Sequence, residues 1–215
     1  MRKIVSGLII ICLLFTSSCF SRNNEQKYDK GYEDIEQQIV EKYGDYLNIH
    51  IYEDGDIILS LKKSYLSDEN TYSKVPEYVL IEDIRVMVNE YIDANPNSVL
   101  SNDAKEKCMS IILTARLGSH SEKLFVVDNW HSNFGKGALE SEQFFGSYWM
   151  IDISPIFGRV NDSYIIDMYD YISQSGDVRY VDIISMKSLS DEEEKAWEEE
   201  ILAKFPLINE YIEHE

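Results

Sequence analysis

Histidines, cysteines and clustered carboxylates are the side chains of this chain that could carry chemistry. The chain has four histidines and three cysteines. His131 stands out among the histidines because it follows a predicted strand, in the run Asn129-Trp130-His131. An aromatic ring beside amide and imidazole groups suits a sugar or a peptide, and loops on a rigid sheet commonly carry binding residues. We therefore take Trp130, His131 and Asn129 as candidate ligand contacts. The alternative is that Trp130 covers the edge of the sheet and His131 is simply exposed to solvent.

A nucleophilic pair of Cys108 and His131 is a weaker hypothesis. Cys108 directly precedes an apolar run that begins at Met109. Burial in an apolar strand raises the pKa of a thiol and so suppresses the reactive thiolate. We expect Cys108 to behave as a small buried hydrophobic residue.

Carboxylates are abundant, and Asp54 close to Asp56 and Asp167 close to Asp170 are examples. Their spacing does not match a calcium-binding loop, which needs several oxygens around a turn glycine. The sequence has no glycine-rich phosphate loop, paired-cysteine metal site, His-Glu-x-x-His motif or nucleophile elbow. We predict no cofactor, no metal ligand and no assignable catalytic residue. A glycosidase-type carboxylate pair stays open, because such pairs follow no spacing rule in sequence.

Composition restricts the partners of the chain. Its 215 residues carry a formal net charge of −19, which argues against nucleic acid, whose phosphates are bound by cationic proteins. The same charge opposes flat binding to anionic lipid and favours cationic partners. The chain also has 15 tyrosines, a residue common at recognition surfaces. Tyr65 and Tyr72, in a predicted loop over 64–73, are further candidate contacts.

The N-terminal segment has the features of an export signal. Arg2 and Lys3 precede an apolar run that is too short to span a bilayer, and small residues lead to Cys19. The run Thr16-Ser17-Ser18-Cys19 resembles the lipobox of bacterial lipoproteins, although Thr16 stands where that family usually has leucine. The resemblance implies cleavage before Cys19 and acylation of that cysteine. An ordinary signal peptide cut nearby is the alternative.

The resemblance divides the chain into three parts. Residues 1–18 form the signal peptide, 19–33 a polar tether, and 34–215 one domain. A division of that domain into two halves, about 45–130 and 145–215, stays open. The implied location is the extracytoplasmic face of the cell membrane, with the lipid on Cys19 as the anchor.

Hydrophobic periodicity predicts an α+β fold for the domain, mostly an antiparallel sheet of hairpins with two or three packed helices. Asp54-Gly55 lies between two alternating runs, which is a hairpin signature. Ser190 with Glu193 forms a capping box. Predicted helices cover 34–43, 76–93, 164–172 and the segment after Ser190, and predicted strands cover 47–51, 57–61, 107–115, 123–130, 149–153 and 179–186.

These observations predict a membrane-anchored binding or interaction module of unknown ligand, with an envelope protein or glycan as partner. Its expected contact surface is formed by the loops 64–73 and 128–137. The alternative is a cell-envelope hydrolase that uses acidic residues. A third hypothesis is an accessory subunit whose acidic surface docks a basic partner.

Overall fold

A six-stranded sheet organises the protein. The computed structural model describes residues 32–52, 55–67, 75–106, 108–117, 119–130, 146–156, 160–175, 178–187 and 189–206. The strands are β1 (Leu47–Ile51), β2 (Ile57–Leu61), β3 (Met109–Leu117), β4 (His120–Trp130), β5 (Gly146–Ile151) and β6 (Val178–Ile183). They pair in chain order. The pairs β2–β3 and β5–β6 are parallel, and the other three are antiparallel.

Six α-helices accompany the sheet in the described residues. They are α1 (Glu33–Tyr43), α2 (Lys63–Ser67), α3 (Glu77–Ala94), α4 (Val99–Glu106), α5 (Asp162–Ser173) and α6 (Asp191–Lys204). The predicted α+β class is confirmed, with more helices than the two or three expected. Among the parts of the chain that the structure describes, no helix is both long and apolar enough to cross a bilayer.

One face of the sheet is covered by helices and holds the core. Helix α3 packs against β3 and β4, while α1 packs against β1 and, like α5, against α3. Strand residues of this face, such as Leu59, Ile111, Val127 and Trp149, are fully buried. Residues of the opposite face, here called the second face, are mostly half-buried, as at Ile112. This difference follows from the two-residue period of a strand.

Several local signals predict their elements correctly. Gly55 has a φ of +86° in the turn between β1 and β2, a conformation that glycine adopts without steric cost. The Asn161 side chain accepts a hydrogen bond from the Tyr164 amide and caps α5. At α6 both hydrogen bonds of the Ser190–Glu193 capping box are present. Capping and turn chemistry depend on neighbours in sequence, so they can be read without the fold.

Other predictions need correction. The predicted loop over 64–73 begins with the short helix α2, and α4 was not predicted at all. Strands β3 and β4 extend toward each other, so that His120, expected in a turn, begins β4. Strand β5 ends before Ile153, and β6 begins one residue and ends three residues earlier than predicted. The sequence also allows 208–212 to pair as an edge strand or to form a last helical turn, but this segment lies outside the described residues.

The strands define two ends of the sheet. At one end β4 finishes at Trp130 and β3 and β5 begin; we call this the polar end. At the other end β2 finishes at Leu61 and β5 at Ile151, and we call this the far end. The nine residues of β3 separate the two ends by about 26 Å at ~3.3 Å per residue.

Candidate functional site at one end of the sheet

Helix α3 brings three polar side chains to the polar end on the helix-covered face. Glu82, Arg85 and Asn89 are spaced by three and four residues, which places them on one side of the helix. Glu82 is 3% exposed and Arg85 is 2% exposed. Charged residues are almost never this deeply buried unless they are paired.

Glu82 and Arg85 form a bidentate ion pair. Arg85 Nε donates to Glu82 Oε2 at 2.8 Å, and Arg85 Nη2 donates to Glu82 Oε1 at 2.7 Å. The hydroxyl of Ser175, just after α5, also donates to Glu82 Oε1. The hydrogen bonds compensate the desolvation of both charges, which is the condition under which a buried ion pair is tolerated. The pair therefore joins α3 to the chain that enters β6.

Asn129 extends this network to the sheet. It is 1% exposed, and its Oδ1 lies 3.4 Å from Arg85 Nη1. Its Nδ2 donates to Asn89 Oδ1 at 2.8 Å. Across the sheet Asn129 pairs with Ser147, whose hydroxyl accepts from Trp149 Nε1 at 3.1 Å. We call Glu82, Arg85, Asn89, Asn129 and Ser175 the buried network; it fixes the end of β4 against α3.

The second face carries a separate polar group at the same end. Ser110 Oγ donates to Asp128 Oδ1 at 2.8 Å, and the Ser110 amide donates to Asp56 Oδ1 at 2.9 Å. Burial raises the pKa of Asp128, while the Ser110 hydrogen bond and the charge of Lys123 act in the opposite direction. Two carboxylates thus flank one serine, an arrangement that can accept hydrogen bonds from hydroxyl or ammonium groups.

The predicted contact residues do not form one surface. Tyr65 lies in α2 at the far end, where its ring contacts Tyr46, the residue before β1. Tyr65 is 4% exposed, and its hydroxyl donates to the Val75 carbonyl at 2.9 Å. Asn129 lies at the polar end and is equally inaccessible. These two residues therefore support the structure at opposite ends of the sheet.

The remaining predicted residues cannot be placed in the site. Trp130 is the last residue of β4 and pairs with Gly146, but its side chain is outside the described set. The described residues also leave out His131, Tyr72 and Cys19. The hypothesis of a Cys108–His131 pair therefore stays a prediction. Cys108 itself is half-buried, and its thiol lies 3.9 Å from the Met109 carbonyl. It is thus less buried than the sequence predicted.

Sequence reasoning missed the α3 members of the buried network. A signal was available, because Glu82 and Arg85 lie among the apolar residues Ile81, Ile84 and Val88 of a predicted amphipathic helix. An amphipathic helix normally carries its charged residues on the side that faces solvent. Charged residues inside the apolar stripe therefore indicate buried charges. Their spacing of three residues would have predicted an internal ion pair, but not its partner Asn129.

The buried carboxylates that the structure describes are engaged in hydrogen bonds and ion pairs within the fold. Among the described residues no group of three or more histidine, cysteine, aspartate or glutamate side chains could hold a metal ion. Glu82 is occupied by Arg85 and Ser175. Asp152, buried at the far end, accepts hydrogen bonds from the amides of Ser154 and Met186 at 2.9 Å each. These carboxylates hold the fold together, whereas Asp56 and Asp128 lie on the second face.

Comparison with known proteins gives no relative. No protein family model matches the chain, and no curated protein or solved structure matches it significantly. The function must therefore be argued from the residues themselves.

Proposed function

We propose that this protein is a lipid-anchored extracytoplasmic binding module that contacts its partner through the polar end of the sheet. The lipobox-like run ending at Cys19 supports the anchor. The observation that carries the binding function is the buried network, which joins α3 to the end of β4 through hydrogen bonds. Binding sites gain affinity when their scaffold is ordered before the partner arrives.

The network supports binding more than catalysis because its charged members are occupied by each other. A general acid or nucleophile needs a group that can reach the substrate, whereas Glu82 and Arg85 are sealed in the interior. The network holds Asn129, near the end of β4. The predicted contacts Trp130 and His131 directly follow Asn129 in sequence, which is why we propose the contact surface at this end.

A second candidate, an envelope hydrolase, rests on the second face. The carboxyl of Asp128 has a raised pKa caused by burial, as general acids often have. Its partner Ser110 and the nearby Asp56 give it a hydrogen-bonded setting. Asp128→Asn should abolish turnover of an envelope glycan or peptide if this candidate is correct.

The first experiment is a crosslinked co-purification from native membranes, with the wild-type chain beside Cys19→Ala. We expect the wild type in the membrane fraction with one specific partner, and Cys19→Ala in the unanchored fraction without it. Mass spectrometry of the N-terminal peptide should show an acylated Cys19. Identical fractionation of the two chains would refute the anchor.

A matched pair of variants separates binding from folding. Asn129→Ala removes the hydrogen bonds that join β4 to Arg85 and Asn89 of α3, whereas Tyr65→Phe removes one hydroxyl at the far end. We expect Asn129→Ala to lose the partner while keeping the circular dichroism spectrum, and Tyr65→Phe to retain it. Turnover of a glycan by the purified domain, abolished in Asp128→Asn, would replace this proposal with the hydrolase.

A further inference from the structure

The N-terminal segment joins the domain at the polar end. Tyr32, the first described residue, donates its hydroxyl to Asp103 of α4. A Cβ placed on Gly55 would lie 3.5 Å from Asp103 Cβ and 3.6 Å from Met109 Cγ, and Met109 begins β3. Helix α1 then runs to the far end, where β1 begins. The chain therefore enters the domain at the polar end.

The length of chain before Tyr32 limits how the domain can face the membrane. From Cys19 to Tyr32 the chain advances by roughly thirteen residues, which span at most about 45 Å when fully extended. To bring the far end to the bilayer, this segment would have to run back about 26 Å alongside the domain. More than half of its greatest reach would be spent in that way, so an orientation with the polar end toward the lipid needs less extension of the link.

Charge distinguishes the two kinds of partner available at a membrane surface. Asp56, Asp103 and Asp128 all lie at the polar end, and the whole chain carries −19. Anionic headgroups repel such a surface. A protein held in the membrane can approach it without that penalty.

Resting on the lipid anchor proposed above, we infer that the polar end faces the anchoring membrane and that its partner is a protein held in the same membrane. The far end, with α2 and the β3–β4 turn, faces away from the bilayer. A partner of the far end would have to come from the extracytoplasmic space. The anchor thus directs the polar end toward proteins of the membrane and the far end toward molecules of the extracytoplasmic space.

Energy transfer to labelled lipids tests the orientation. In a Cys108→Ser background, Asn102→Cys places a dye beside Asp103 at the polar end, and Ser121→Cys places one at the far end; both positions are exposed. The lipidated protein is reconstituted in phosphatidylcholine vesicles that carry acceptor-labelled headgroups. We expect higher transfer from position 102 than from position 121. Equal or reversed transfer would overturn the orientation.

A longer link provides the matched control. Inserting a long glycine–serine segment after Arg22 should remove the difference between the two dyes, because the domain can then turn freely. A difference that survives this insertion would contradict the role of the short link. If the wild type itself fails to stay with the vesicles, the lipid anchor has failed, and that result is distinct from an equal-transfer result.

Two further measurements test the partner. Unanchored Cys19→Ala protein should not bind vesicles of phosphatidylglycerol, and binding there would make lipid the partner instead. In native membranes, a photo-crosslinker at position 102 should capture a protein that stays in the bilayer after an alkaline wash, while position 121 should not. Capture from position 121 alone, or only of washable proteins from position 102, would overturn the inference.

Discussion

The buried ion pair of α3 gives the sharpest test of the structural reasoning. We consider the substitution Arg85→Met, which keeps a long unbranched side chain and a similar helix propensity. It removes both donors that hold Glu82 and the contact to Asn129 Oδ1. Glu82 then keeps the Ser175 hydroxyl as its remaining described partner.

The expected cost follows from that isolated charge. Removing one member of a buried pair costs about 3–5 kcal/mol, because the other charge stays desolvated. The total free energy of unfolding of a domain is about 5–15 kcal/mol. The loss expected from this single substitution is therefore a large fraction of the total. The double variant Glu82→Met/Arg85→Met removes both charges, and it should be more stable than Arg85→Met alone.

Urea unfolding followed by circular dichroism measures these effects. With a slope of about 2 kcal/mol per M, the midpoint of Arg85→Met should fall by about 2 M. Lys195→Met is the control: Lys195 lies 3.9 Å from Glu199 in α6, and the two side chains are 76% and 70% exposed. Breaking this exposed pair should change the free energy of unfolding by less than about 0.5 kcal/mol.

Two results would refute the reasoning. The first is a loss below about 1 kcal/mol for Arg85→Met, which would mean that water reaches Glu82. The second is a double variant as unstable as the sum of the two single variants, since the coupling between neighbouring charges would then be absent. A changed slope in either variant would indicate an altered unfolded state, so midpoints are compared at equal slope.

Three further predictions concern single sites. Gly55→Ala forces a positive φ on an L-residue and should lower the free energy of unfolding in urea by about 1–2 kcal/mol; an unchanged midpoint would contradict the strained turn. Ser190→Ala removes the α6 cap and, at a cost of about 1 kcal/mol, should lower the calorimetric Tm by about 2–4 °C. Burial and the Asp83 hydrogen bond raise the pKa of Tyr171 to about 12. Because the folded pKa lies above the ordinary value of about 10, this stability is present below pH 10 and lost as pH rises toward 12. Tyr171→Phe should flatten the loss of unfolding free energy over that interval, and an unchanged profile would refute the assignment.

Sequence alone predicted the elements whose signals are local. The Asp-Gly turn, the Ser190 capping box and the α3 stripe each depend on residues within one or two turns of chain. Helix α4 was not predicted because it is short and polar, with only a few buried apolar residues such as Leu100 and Ala104. Eight residues carry too little periodicity to be separated from a loop.

The candidate site was only partly readable. The sequence singled out Asn129 and Tyr65 as contacts, but both proved to be buried and lie at opposite ends of the sheet. Their separation depends on the parallel pairing of β2 with β3, which brings together segments about fifty residues apart. Nothing in the local pattern of either strand specifies that partner.

The sequence by itself determined the acidic charge, the α+β class and most helix and strand positions, while the N-terminal signal stays a prediction. These follow from composition and from the 2.0 and 3.6 residue periods of apolar side chains. Only the tertiary structure decided that Glu82, Arg85 and Asn129 meet, and that Tyr32 lies against Asp103. Such contacts depend on which surfaces pack together, because burial of the whole core, not the local chain, selects the arrangement.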